Sequence, residues 1–144
     1  MAIADIDLLS QRLLAGAPCL QTVPDSVVAT SGIDGLGLFS TRARAAGEVL
    51  CVLDGQVVEV TAYPGVTDAL EWNALDPDHL LVRGLRTSYG YINHSARPNV
   101  AIDADGRTMR TCEAVMAGAE FTMDYLAQPV PAGYRDSPEG RRLR

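Results

Sequence analysis

The sequence predicts a mostly β fold of many short strands with little helix, and three observations point there. Short apolar and β-branched runs recur from Val27 onward, too brief for helices and suited to half-buried strands. Turn-forming strings such as Asp54-Gly55 and Asp103-Ala104-Asp105-Gly106 separate them. Helical spacing of apolar residues is confined to the N-terminal region and one short internal stretch. A chain of 144 residues fits one domain able to bury roughly two-thirds of its unfolded surface without disulfide or metal staples.

At the N-terminus, Asp5 is placed to cap a short helix with Ile6, Leu9 and Leu13 on its apolar face, and Gly16 to end it. The runs Val49-Leu50-Cys51-Val52-Leu53 and Val57-Val58-Glu59-Val60 flank Asp54-Gly55 and read as a hairpin. Residues 61–78 carry Pro64, Gly65 and Pro77 around a short helix expected over 67–75, an insert between strands. His79-Leu80-Leu81-Val82 reads as a further strand, and Val100-Ala101-Ile102 is expected to pair with Thr108-Met109-Arg110-Thr111-Cys112. The string joining that pair lacks the later ligands and closing glutamate of a calcium loop, so a tight turn is expected. In residues 128–144, Pro129, Pro131, Gly133, Pro138 and Gly140 argue against a long helix or strand. No repeat or low-complexity tract is evident.

Composition excludes several function classes. No apolar run approaches the roughly 20 residues of a membrane span, and the start has no basic segment leading into an apolar core, so a cytoplasmic protein with no membrane partner is expected. Cys19, Cys51 and Cys112 are odd in number and never form a C-x-x-C pair, so buried free thiols are expected. With only His79 and His94 as histidines, no metal is expected. The net charge of −6 argues against direct nucleic-acid binding and favours encounter with a basic peptide or protein, or serves solubility. All basic residues are arginine, so an enzyme acting on lysine side chains could not modify its own.

Three segments gather residues able to do chemistry. Gly32-Ile33-Asp34-Gly35-Leu36-Gly37-Leu38-Phe39-Ser40 has closely spaced glycines that let backbone approach a ligand, without the third glycine of a dinucleotide-binding turn. Tyr91-Ile92-Asn93-His94-Ser95-Ala96-Arg97-Pro98-Asn99 offers directed hydrogen-bonding side chains among small and apolar neighbours. Asn93-His94-Ser95 also fits a glycosylation acceptor, which means little without a secretory leader. Gly118-Ala119-Glu120-Phe121-Thr122-Met123-Asp124-Tyr125 is a strand-like run ending in a tyrosine.

At these residues the chain resembles the SET-domain protein lysine methyltransferases, over residues 27–126. That family opens with a G-x-G-[LV]-F-[AS] string, a basic stretch and Gly-Glu, matched here through Gly47-Glu48. Its N-H-S-x-x-P-N and G-E-x-x-x-x-D-Y segments cross to form a cofactor pocket and a methyl-transfer channel. The resemblance implies a β-clip type fold of short strands in several small sheets, with a threaded C-terminal segment and few short helices. It implies the SET domain over 27–126, with an N-terminal helix and lead-in over 1–26 outside the resemblance and a tail over 127–144 that covers the active site or stays loose.

It further implies S-adenosylmethionine as cofactor, with S-adenosylhomocysteine as product, and a lysine-bearing basic protein or peptide as substrate. Cofactor contacts fall to Gly35, Leu36, Gly37, Tyr91, Asn93, His94 and Tyr125, and the channel to Leu53, Tyr91, Tyr125 and Tyr134. Tyr125 is the expected catalytic residue, while Asn99 fixes its turn by bonding backbone and Asp124 is structural. The family's pattern is broken at Ala96, Ala119 and Leu53, the last standing where many members place a channel tyrosine. No cysteine-rich segment follows Tyr125, so Tyr134 or a second subunit of a homodimer is expected to close the channel. A catalytically silent interaction module and a methyltransferase for a non-protein amine remain the alternatives.

Overall fold

A computed structural model describes residues 3–144, with side chains from residue 6 onward. The described chain is mostly β, with several small sheets and few short helices. In order its elements are α1 (Ile3–Leu13), β1 (Ser26–Thr30), β2 (Leu36–Ser40), β3 (Val49–Val52), β4 (Gln56–Glu59), α2 (Val66–Ala69), β5 (Glu71–Ala74) and β6 (His79–Arg83). Then follow β7 (Asn93–His94), β8 (Val100–Ile102), β9 (Thr108–Thr111), β10 (Thr122–Met123), α3 (Ala132–Arg135) and α4 (Pro138–Arg142). They group into two compact units, one from the described residues up to Cys19, Asp54–Arg86 and Tyr125–Arg144, the other from Leu20–Leu53 and Thr87–Asp124. Residues 27–126 therefore contribute to both.

The first unit is built on the antiparallel sheet β4-β6-β5. Strand alternation puts Val58, Trp72, Ala74, Leu80 and Val82 on one face, where Leu126, Val130 and Tyr134 from the C-terminal segment complete an apolar cluster. Tyr134 meets Trp72 edge-on at 4.9 Å between ring centroids, a favoured aromatic geometry. The opposite face carries Glu71 and Arg83, paired directly across the strands, and Asn73. All three are buried, and the Arg83 guanidinium joins them: Nε donates to Glu71 Oε2 at 2.5 Å, and Nη1 to Asn73 Oδ1 at 2.8 Å and the Asp54 carbonyl at 3.1 Å.

That polar face explains one correction. The helix expected over 67–75 is a single turn, α2, and Glu71 already begins a strand. One face of this strand carries Glu71 and Asn73, satisfied by Arg83, while Trp72 and Ala74 face the apolar cluster, so both faces are covered and no apolar/polar alternation marks the strand. A second correction concerns the hairpin across Asp54-Gly55. β3 pairs with β9 and β4 with β6, in separate sheets. Gly55 sits at φ +148°, outside the conformation of a two-residue hairpin turn, and a Cβ there would overlap the Val82 carbonyl oxygen.

In α1 the helix is already formed at Ile3, so Asp5 lies within it instead of capping it. Ile6 and Ser10 are fully buried while Leu13 is exposed, so the inward stripe runs through Ile6 and Ser10, with Leu9 half-buried. The Ser10 hydroxyl accepts from the Arg86 N–H at 3.1 Å. Ala15 and Gly16 both take positive φ, and the Gly16 N–H closes the helix on the Gln11 carbonyl at 2.8 Å. At the other end, Ser137 caps α4 by accepting from the Gly140 N–H at 3.2 Å. The C-terminal segment thus holds only short helices, as its prolines and glycines imply.

The second unit contains the β1-β2 pair and the mixed sheet β3-β9-β8-β10-β7, in which β10 runs parallel to both β8 and β7. Leu38, Val100, Met109 and Phe121 are fully buried in it. Two glycine turns, after Arg44 and after Val115, bridge each other through reciprocal backbone bonds of 2.7 and 3.0 Å. Arg44 is buried beside Phe121, its guanidinium carbon 5.6 Å from the ring centroid, and donates to the Pro24 and Asp25 carbonyls. The thiols differ in environment: Cys19 is buried, Cys51 half-buried and Cys112 exposed. Cys112 follows the buried Thr111 at the end of β9, so alternation turns it outward, against the expectation of burial.

β8 and β9 form the expected antiparallel pair, Val100 opposite Thr111. Their turn closes through Gly106 N–H to the Asp103 carbonyl at 3.0 Å, with Gly106 at φ +72°. The Asp105 carboxylate accepts from the Thr108 hydroxyl at 2.6 Å and from the Thr108 and Arg107 amides. Those donors, the hydroxyl foremost, hold its pKa at about 2 instead of 3.8. A depressed folded value means stabilisation that is full above the unfolded pKa and lost as pH falls toward about 2. The melting-temperature gap between wild type and Asp105→Ala is therefore expected to shrink below pH 3.8 and close near pH 2. A gap independent of pH would contradict this.

Candidate functional site

The three motif segments, the third as far as Asp124, come together in the second unit, and the Asn93 side chain is where they join. β7 lies parallel to β10, Asn93 opposite Thr122 and His94 opposite Met123, so the second and third segments are neighbours in one sheet. The Asn93 amide Nδ2 stands 3.1 Å from the Asp34 and Leu36 carbonyls of the glycine segment. It also lies 2.9 Å from Glu120 Oε1 of the third segment and 3.1 Å from Ser31 Oγ. Three of these neighbours are carbonyl or carboxylate oxygens, so a flipped amide would set oxygen against oxygen, which fixes its orientation.

Ser31 and Glu120 complete the cluster. The Ser31 hydroxyl donates to both Glu120 oxygens, at 2.6 and 2.9 Å, and accepts from the Ile33 N–H at 2.9 Å. The Ser31 N–H bonds the Gly35 carbonyl at 2.8 Å, closing the loop between β1 and β2. The glycines have different physical roles here. Gly35 takes φ +47° with open space around it, so its conformation is the constraint. At Gly37 the constraint is space: a Cβ would overlap Glu120 Oε1 and lie 2.9 Å from its Cδ and 3.2 Å from Ser31 Cβ.

Asn99 ties the second and third segments together from the other end. Its Nδ2 donates to the Glu120 carbonyl and its Oδ1 accepts from the Thr122 N–H, both at 2.8 Å. It bonds backbone, as expected, but that of the neighbouring strand in place of its own turn. His94 Nδ1 stands 3.8 Å from Asp124 Oδ1, beyond hydrogen-bond length, with both side chains largely shielded. Tyr91 ends a 3-10 turn, Ser88–Tyr91, that packs against β2, and is half-buried. Leu53 is buried at the end of β3.

Gly35, Leu36, Gly37, Leu53, Tyr91, Asn93 and His94 thus all belong to the second unit. Tyr125 and Tyr134 belong to the first, Tyr125 as the residue directly after Asp124 in the chain. Tyr134 is held in the apolar cluster against Trp72, and burial raises the pKa of its hydroxyl. Ser31 and Glu120 were not singled out from sequence. The available signals were Ser31 opening a glycine turn, a hydroxyl suited to bonding backbone two residues on, and Glu120 alternating with buried Phe121.

Among the described residues no group of three or more His, Cys, Asp or Glu could hold a metal ion. No helix among them is long and apolar enough to cross a membrane. The four oxygens around Asn93 Nδ2 outnumber its two hydrogens, so the cluster has acceptor capacity to spare. Such surplus suits a ligand carrying an ammonium group. No protein-family model matches the chain, and no curated protein matches it.

Proposed function

We propose that the chain is a SET-type, S-adenosylmethionine-dependent methyltransferase whose acceptor is the side-chain amine of a lysine in a basic protein or peptide. The observation that carries the reading is the convergence on Asn93 of all three segments that resemble that family. Bound S-adenosylmethionine supplies a methyl group on a sulfonium, which an uncharged amine takes by direct displacement, its proton passing to solvent. The Asp34 and Leu36 carbonyls beside Asn93, which its two hydrogens cannot saturate together with Glu120, fit the ammonium of that cofactor. The Gly35, Leu36 and Gly37 backbone with Asn93 and His94 holds it, and half-buried Tyr91 borders it.

Lysine, with a reference pKa near 10.4, offers below about 0.1% of its neutral form at pH 7. An apolar channel, to which the resemblance assigns Leu53, disfavours the ammonium and lowers that pKa. Tyr125 orients the lone pair through its hydroxyl. No side chain of the cluster needs to act as a general base. The absence of lysine from the chain leaves its own side chains without acceptors, so label transfer to added protein is read against no self-modified lysine background.

The test is transfer of an isotopic methyl label to lysine peptides, basic proteins and small amines. Transfer to protein lysine is expected, and Tyr125→Phe is expected to slow turnover by roughly 10- to 100-fold with cofactor affinity unchanged. Cofactor binding without transfer to any acceptor would leave an interaction module, and transfer to small amines alone a different substrate class. Unchanged turnover in Tyr125→Phe would remove Tyr125 from the scheme.

A further inference from the structure

We propose that Glu120 is the positioning residue of the ligand site, its carboxylate setting the glycine loop through Ser31 and Asn93. The inference rests on the reading of that loop as the cofactor platform. A serine hydroxyl has one hydrogen and two lone pairs. Here the hydrogen is committed to Glu120, at 2.6 and 2.9 Å. That commitment turns the lone pairs toward the Ile33 N–H at 2.9 Å and Asn93 Nδ2 at 3.1 Å. One carboxylate thereby orients the hydroxyl that accepts from the Ile33 N–H and, at 2.9 Å, draws one hydrogen of the Asn93 amide, leaving the other for the Asp34 and Leu36 carbonyls, both 3.1 Å away.

The backbone bears the mark of the same arrangement. The space that a side chain at position 37 would need is filled by the Glu120 carboxylate, so the glycine and the glutamate are one device. Glu120 sits beside β10 and the loop lies between β1 and β2, so the bond fixes the loop to the sheet that carries Asn93 and His94. Without the carboxylate the Ser31 hydroxyl is free to rotate, and Asn93 loses its one charged acceptor. Charge-assisted hydrogen bonds of this kind are roughly twice as strong as neutral ones, which places the control of loop order at Glu120 more than at Ser31.

The experiment compares wild type, Glu120→Ala, Glu120→Gln and Ser31→Ala by two readouts. The first is amide exchange at Ser31, Ile33 and Asp34 without ligand; the second is calorimetric affinity for S-adenosylmethionine together with kcat at saturating cofactor. Glu120→Ala is expected to speed exchange at those amides and weaken affinity about tenfold, the worth of one charge-assisted bond, with kcat nearly unchanged. Glu120→Gln, whose amide oxygen can still accept from Ser31 and Asn93, is expected to restore affinity to within about threefold of wild type. If Glu120→Ala does not fold, Ser31→Ala removes the same bridge outside β10, and its exchange and affinity decide.

Loop exchange and affinity both unchanged in the folded variants would overturn the proposal, as would a Glu120→Gln variant no better than Glu120→Ala. Faster loop exchange in Glu120→Ala, in a wild type that binds no S-adenosylmethionine, would uphold the positioning role and sink the functional reading instead.

Discussion

Gly37→Ala is expected to destabilise the protein by about 2–4 kcal/mol, because the added methyl group evicts the Glu120 carboxylate from its bonds with Ser31 and Asn93. The atom met first is the end of a flexible side chain, so the backbone need not break; the cost is the pair of charge-assisted bonds given up. A double-mutant cycle makes this specific. With Glu120 already truncated to alanine the new methyl finds room, apart from Ser31 Cβ at 3.2 Å, and Gly37→Ala should then cost under about 1 kcal/mol. Denaturant unfolding of the four proteins measures it, and additive costs would show that the glycine serves something other than the carboxylate.

Arg83→Ala is expected to cost about 3–5 kcal/mol, the loss typical when one partner of a buried ion pair is removed. The Arg83 and Glu71 side chains are only 8% and 2% exposed, so the carboxylate left behind keeps its desolvation penalty without its guanidinium. Asn73 and the Asp54 carbonyl lose a donor in the same step. Replacing Arg83 by methionine and Glu71 by leucine together should recover most of the loss, since buried pairs exchanged for apolar residues of similar volume are often neutral. A cost below about 1 kcal/mol for Arg83→Ala would mean that water reaches the pair.

These two sites mark where the sequence was legible and where it was not. The β8–β9 pair and its Asp-Gly turn were readable because local turn chemistry and apolar runs agree there. The β3 and β4 runs were individually readable, yet their pairing was not, since Asp54-Gly55 looks like a hairpin turn and the positive φ of Gly55 appears only once Val82 and Arg83 are packed beside it. β5 was hidden because, beside Trp72 and Ala74, it buries a glutamate and an asparagine, which a hydrophobic pattern assigns to solvent.

In the site, the glycines, Asn93, His94 and Asn99 announced themselves by residue type and spacing. Ser31 and Glu120 did not, because a lone serine and a lone glutamate acquire meaning only through each other, 89 residues apart in the chain. The C-terminal segment shows the same limit. Its prolines foretold short elements, but not that Leu126, Val130 and Tyr134 complete an apolar cluster. Deleting it would expose the face of the β4-β6-β5 sheet, so loss of activity on truncation would not isolate a role for Tyr134.

The most direct measurement is calorimetric titration of S-adenosylmethionine into the wild-type protein, with Asn93→Ala alongside. Saturable binding at a single site per chain, lost or weakened at least tenfold in a folded Asn93→Ala, is the predicted result. No saturable binding to the folded wild type, or equal binding by the variant, would contradict the claim that the segments meeting at Asn93 form a cofactor site.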